Sequence, residues 1–196
     1  MGSPIDTRGI EDGTEIYEQV IGEEIEQSSI YDSVLFACFD KAYPAIVLTP
    51  ICDIVSRRAE YLKVAQIIPA QLVYEEFLES KGVTELEMSG VQALGRKRAL
   101  GLKKEFTEQF MKNRVYRYHF LPRLRDILAD SFVDFQIVQT VHAENLKGPK
   151  KLALLKSPWR ECLPSRYAAY CLRIGTRPYS DKFLGTVHDS ISLLKY

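Results

Sequence analysis

A thiol next to a carboxylate is the first place where this chain could do chemistry. Cys52 precedes Asp53, and His119 is one of three histidines. A cysteine becomes a nucleophile when a nearby base takes its proton. Cys52 with His119 would therefore make a thiol enzyme if the fold joins them. The alternative is that Cys52 is a small buried hydrophobe and Asp53 caps a turn. The second group is suited to binding: Arg96, Lys97, Lys103, Lys104, Arg114 and Arg117, with Tyr116 and Tyr118. Cations hold phosphates and aromatic rings stack on bases, so this set fits a nucleic acid, RNA included. The alternative is a solvated basic helix beside an aromatic stripe that belongs to the core. Other chemistries lack their residues. No phosphate loop, dinucleotide fingerprint, zincin helix, esterase elbow or EF-hand loop occurs. Three histidines and four scattered cysteines give no ligand spacing, so no metal and no cofactor is expected.

These residues must be positioned by the elements around them. Residues 30–39, 43–51 and 61–68 are apolar runs of strand length, bounded by turn signals. In the second run both alternating faces are apolar, which predicts a central strand. Cys52-Asp53 falls at its end. The period then changes. Leu72, Val73, Phe77 and Leu78 are spaced for a helix over 71–80, and Val91, Leu94, Leu102, Phe106 and Phe110 for another over 90–113. The second helix would carry a basic outer face and could bend at Gly95 and Gly101. Strand character returns at 115–121, where Tyr116, Tyr118 and Phe120 alternate with Arg117 and His119. It returns again at 131–141 and 151–155. Ser157-Pro158 predicts a helix start and Gly175 its end. Residues 15–27 fit a short strand or a frayed helix equally well.

The composition fits one soluble domain. The chain has 196 residues, 46% hydrophobic and 27% charged, too polar for a membrane bundle and too apolar for disorder. It has no run of about 18 apolar residues to span a bilayer and no secretory leader in its first thirty residues. The expectation is a cytoplasmic protein without a membrane partner. The net charge is zero, yet it is unevenly spread. Residues 1–33 hold nine acids and one base, and residues 96–125 hold ten bases and two acids. Either the basic segment faces an anionic partner, or the acidic leader neutralises it within the fold. The four cysteines form no C-x-x-C pair and are expected to be free thiols.

Two segments together resemble the PemK/MazF-type toxin barrel. Residues 43–69 (YPAIVLTPICDIVSRRAEYLKVAQIIP) resemble its central hairpin, with a strand entered through a proline. Residues 134–175 resemble its ending, through Gln136-Ile137, Thr140-Val141, Asn145-Leu146 and Leu154 before the helix. The resemblance covers about 70 of the 196 residues and leaves 70–113 as an insertion. It implies a small SH3-like barrel, cleavage of single-stranded RNA and an antitoxin partner. That chemistry uses an Arg before the strand proline and a Ser or Thr after the next strand. Tyr43 and Ala70 stand at those places. Tyrosine supplies no permanent cation and alanine no hydroxyl, so the family's ribonuclease activity would be absent or rebuilt with other residues.

The resulting expectation is an α+β fold: a small, mostly antiparallel SH3-like barrel over residues 15–175, with a helical insertion at 70–113 and a packed C-terminal helix. Residues 1–14 would form a flexible leader and 176–196 a tail. The leading functional expectation is a non-catalytic module that binds nucleic acid or an acidic protein through the basic insertion, in a prokaryotic toxin–antitoxin or defence system. One alternative is a divergent endoribonuclease or a thiol enzyme using Cys52 and His119. The other is a protein–protein subunit or adaptor, with a homodimer as one form.

Overall fold

The structure is a computed structural model that describes residues 15–172 apart from 19–21, 23, 57–58 and 91. The expected leader and tail, and the helix stop at Gly175, lie outside the described residues.

Seven strands form one sheet: β1 (Tyr17–Glu18), β2 (Ser29–Leu35), β3 (Ala42–Val47), β4 (Tyr61–Pro69), β5 (Tyr118–Leu121), β6 (Ser131–His142) and β7 (Lys151–Leu155). Their order is β1-β7-β2-β3-β4-β6-β5, and every pair is antiparallel. Among the described residues five α-helices complete the α+β fold: α1 (Ile51–Val55), α2 (Ala70–Ser80), α3 (Glu85–Met88), α4 (Arg96–Phe106) and α5 (Trp159–Cys171). A π-helical turn, Thr107–Met111, extends α4.

Among the described residues the sheet is not closed into the expected SH3-like barrel. Among the described residues no ladder joins the edge strands β1 and β5, and β1 has only two residues to offer. The sheet nonetheless curls far enough for one side chain to bridge its ends. The Tyr17 hydroxyl on β1 donates to the Pro122 carbonyl just beyond β5, at 2.7 Å. The outer edge of β5 is also covered: Asn113 Oδ1 accepts the Phe120 N–H, and Arg166 donates to the Tyr118 carbonyl. Covered edges do not recruit foreign strands.

Period-two alternation explains the layers. Ile46, Leu48, Ala65, Ile67, Val133 and Phe135 face one core, closed by Leu163 of α5 and the half-buried Tyr167 and Tyr170. Ala45, Val47, Leu62, Val64 and Val141 face a second core on the other side. As expected of a central strand, β3 is buried on both faces, at Ala45, Ile46 and Val47. A third core joins α2 and α4 to the β5–β6 end of the sheet, through Val73, Phe77, Leu102, Phe106, Tyr118 and Phe132.

Several boundaries differ from the sequence reading. The apolar run 43–51 ends as a strand at Val47, and Ile51-Cys52-Asp53 opens α1. Pro50 before it fixes a φ suited to a helix entry. The helix expected over 90–113 begins only at Arg96, with Gly95 as its N-cap. Gly90, at φ 77°, lies after α3 in the left-handed region that favours glycine. Leu72 is exposed on α2, whereas Val73, Phe77 and Leu78 are buried.

The start of α5 is held by tertiary contacts. Pro158 takes the N-cap position expected for Ser157, without a side-chain cap. Pro164 inside α5 cannot donate to the carbonyl four residues back. That carbonyl, on Arg160, instead accepts the Nε2 of the buried Gln27, at 3.1 Å. The same amide uses its Oε1 to accept the Ile51 N–H at 3.0 Å, tying α5 to α1. Gln27→Ala strips partners from two backbone groups. Its expected cost is about 2 kcal/mol, read as a lowered urea midpoint at unchanged slope.

Candidate nucleic-acid interface

Helix α4 holds the densest positive charge among the described residues, and its orientation follows from its apolar stripe. Leu102 and Phe106 point into the third core. Taking about 100° per residue, Lys97 and Lys104 lie opposite them, Arg96 and Lys103 lie on one flank, and Leu100 falls between the two pairs. All five are exposed. Arg96, Lys97, Lys103 and Lys104 form no ion pair among the described residues, whereas their neighbours on the inner flank do. Arg98 reaches Glu87 at 3.6 Å and donates to the Lys81 and Gly82 carbonyls. Glu105 accepts from Lys81 at 2.6 Å. Beyond α4, Glu108 holds both Lys112 and Arg114, and its carboxyl is lowered, chiefly by the hydrogen bond from Lys112.

The acidic leader does not neutralise this face where it can be followed. Glu18 pairs with Arg160 at 2.8 Å and Glu26 with Lys151 at 3.1 Å, while Asp32 accepts the Lys150 N–H. Those partners belong to β7, the residue before it, and α5. Cations in the first turn are also opposed by the helix dipole, at about 0.3–1 kcal/mol each. Arg96, Lys97 and Arg98 fill that turn without a side-chain cap. Helix stability alone gives no reason for this placement.

The aromatic half of the expected site is not at the surface. Tyr118 is buried, and Phe120 packs beside it against the helical layer. Burial pushes the Tyr118 phenol up to about 12. The physical reason is that β5 alternates between two covered faces. Tyr118 and Phe120 meet the α2–α4 layer, while Leu121 meets the core under α5. Tyr116 alone of the three stripe rings is exposed. Arg117 is a structural cation: its Nε and Nη2 grip both oxygens of Asp134, at 2.9 and 2.6 Å, and Asp134 is 1% exposed. That hydrogen bonding raises the Arg117 pKa further above its ordinary value. Arg114 is exposed and shared with Glu108.

The thiol pair is not assembled. Cys52 is exposed on α1, its Sγ at 3.6 Å from Asp53 Oδ1. This also corrects the expectation of a buried thiol, because the chain leaves the sheet before residue 52. His119 is buried, and desolvation pushes it down to about 3, helped by the nearby Arg166. Its register runs His119↔Val133↔Ile67, six residues along β4 from Tyr61. Tyr61 lies at the end that follows α1. The chain entering α1 pairs at Lys63, four residues along β4 from Ile67 and about 13 Å away, and the exposed thiol and the buried imidazole are not brought together. Tyr43 packs at a tilt against Phe39, ring centres 4.9 Å apart, with Lys41 over its ring, and Ala70 opens α2.

Sequence reasoning missed Leu100, which stands in the middle of the basic face at 59% exposure. Its signal was present: it is the one leucine of α4 outside the apolar stripe. It also missed Asp134, whose pairing with Arg117 depends on a strand register that local pattern does not reveal. Among the described residues, no three His, Cys, Asp or Glu side chains cluster as a metal site, and no helix is long and apolar enough to cross a membrane. Compared with known proteins, the chain matches no protein-family model and no curated sequence.

Proposed function

We propose that this protein is a binding module whose ligand is a nucleic acid, held through the phosphate backbone by the outer face of α4. One observation supports it most: Arg96, Lys97, Lys103 and Lys104 share an exposed face and form no ion pair among the described residues, with Lys104 alone near a carboxylate, that of Glu108, on a chain of zero net charge. A chain with equal numbers of acids and bases that leaves four cations together has a local field despite its neutrality. The residues that remain accessible suit attraction and positioning. Arg114 borders the set, and Tyr116 is its one exposed ring. Arg117 and Tyr118 support the fold beneath it. A prokaryotic toxin–antitoxin or defence setting, as the barrel resemblance implies, belongs to this same reading.

The test is binding of mixed RNA and DNA fragments followed by fluorescence anisotropy across a salt series. Binding should weaken steeply between about 50 and 200 mM salt, because each neutralised phosphate releases a counterion. Replacing Arg96, Lys97, Lys103 and Lys104 together by Gln should abolish it with the far-UV circular dichroism unchanged. Absence of binding at about 50 mM salt, or binding without a salt slope, would overturn the reading. An acidic protein captured in its place, with no nucleic acid bound, would transfer the same face to a different partner.

A further inference from the structure

The arrangement of these cations narrows the ligand further, and this step rests on the function just proposed. Viewed down α4, Arg96 and Lys103 make one row, and Lys97 and Lys104 make another, about 100° around the helix. Leu100 falls midway between them. Each row joins residues seven apart, about 10.5 Å along the axis. The face is thus an apolar crest flanked on both sides by cations. A solvated helix has no need of that symmetry, and the 59% exposed leucine at its centre offers apolar area that a ligand can cover.

We infer that α4 is a groove helix for double-helical DNA, entering the major groove with Leu100 toward the base edges and its two cation rows toward the phosphates on either side. The dimensions agree. An α-helix with its side chains is about 10–12 Å across, and the major groove of B-form DNA is about 12 Å wide. Lys and Arg stems extend outward from the helix and reach the bordering strands. RNA duplexes fit worse, because their major groove is deep and too narrow for side chains to read. Single strands fit worse for a different reason: they are held by rings on which bases stack. The outer face of α4 itself has no ring, Tyr118 and Phe120 are committed to the core beneath, and the exposed Tyr116 beyond the helix is one ring where a strand needs a series. Leu100 can touch a thymine methyl but cannot hydrogen-bond a base edge. Binding is therefore directed to duplex geometry, with weak preference among sequences.

The experiment uses the full chain with three probes of one mixed sequence, about 20 base pairs or nucleotides long: duplex DNA, single-stranded DNA and duplex RNA. Duplex DNA should bind tightest, with a slope of log affinity against log salt near −3.6, about −0.9 for each of four cations. Lys97→Gln and Lys104→Gln should each make that slope shallower by about 0.9. Leu100→Asp puts a carboxylate on the exposed crest and should weaken duplex binding about tenfold or more. Guanine N7, which faces the major groove, should be protected from dimethyl sulfate. Equal or tighter binding of single-stranded DNA or duplex RNA, or unprotected N7, overturns the major-groove inference and leaves the proposed function standing. If none of the three probes binds at about 50 mM salt, both are overturned.

Discussion

Arg117→Ala is expected to destabilise the protein by about 2–3 kcal/mol, below the roughly 3–5 kcal/mol usual for stripping one partner from a fully buried ion pair, because the Arg117 side chain is 35% exposed while Asp134 is buried. Asp134 is 1% exposed, and the Arg117 guanidinium is the cation that meets both of its oxygens. Its Oδ1 also accepts the Gln136 N–H at 2.9 Å, one neutral donor for a whole charge. The guanidinium lies over the Tyr118 ring at 4.7 Å as well, so its removal also loosens the third core. With total stability typically 5–15 kcal/mol, the loss is a large share. Urea unfolding measures it. Arg117→Lys should recover only part, because a point charge cannot repeat the two-pronged contact. Arg117→Met with Asp134→Leu should be less damaging than Arg117→Ala, since no charge is left buried. That double variant should keep the binding carried by α4. A loss below about 1 kcal/mol for Arg117→Ala, the worth of an exposed pair, would show that Asp134 is hydrated and the bridge superficial.

The same arginine shows what a sequence of this kind discloses. By residue type alone, Arg117 and Tyr118 belong with Arg96 and Lys104 to one basic, aromatic surface. Burial separates them, and burial depends on which elements cover which face of β5. The alternation of Tyr116, Tyr118 and Phe120 was legible; that α2 and α4 cover that side was not. Strands β2, β3, β4, β6 and β7 were legible because their apolar runs exceed any loop's tolerance for buried backbone. The entry to α1 was not, since Thr49-Pro50-Ile51 continues an apolar run while the proline ends the ladder. Barrel closure was beyond reach for a similar reason. It depends on whether a two-residue β1 finds β5, and a single Tyr17 hydroxyl makes that link instead. By contrast, the basic face of α4 was legible almost in full, because helical phase alone sets Lys97 and Lys104 opposite Leu102 and Phe106, with Arg96 and Lys103 on one flank.

Acidification should unfold the protein earlier than its carboxylates alone dictate, and His119 is the cause. The imidazole is buried, with its Nδ1 unpartnered, and burial pushes it down to about 3, the adjacent Arg166 adding to the effect. In the unfolded chain a histidine titrates near 6.5. The folded state therefore holds this group neutral while the unfolded state binds a proton between those values. The stabilisation is complete above about pH 6.5 and shrinks as pH falls toward about 3. It changes by about 1.4 kcal/mol per pH unit, roughly 5 kcal/mol over the whole window. Arg166 cannot yield to the new charge, because it is committed to the Asn113, Val115 and Tyr118 carbonyls that hold the approach to β5. A protonated His119 would press against the cation that fastens this segment to α5. His119→Leu removes the titrating group and an unpartnered polar atom together, so it should be near neutral at pH 8. The stability difference between variant and parent, from urea unfolding at pH 8, 6.5, 5.5 and 4.5, should then grow in the variant's favour at each step below pH 6.5. A difference that stays constant across that range would mean His119 reaches solvent in the folded protein and exerts no such control.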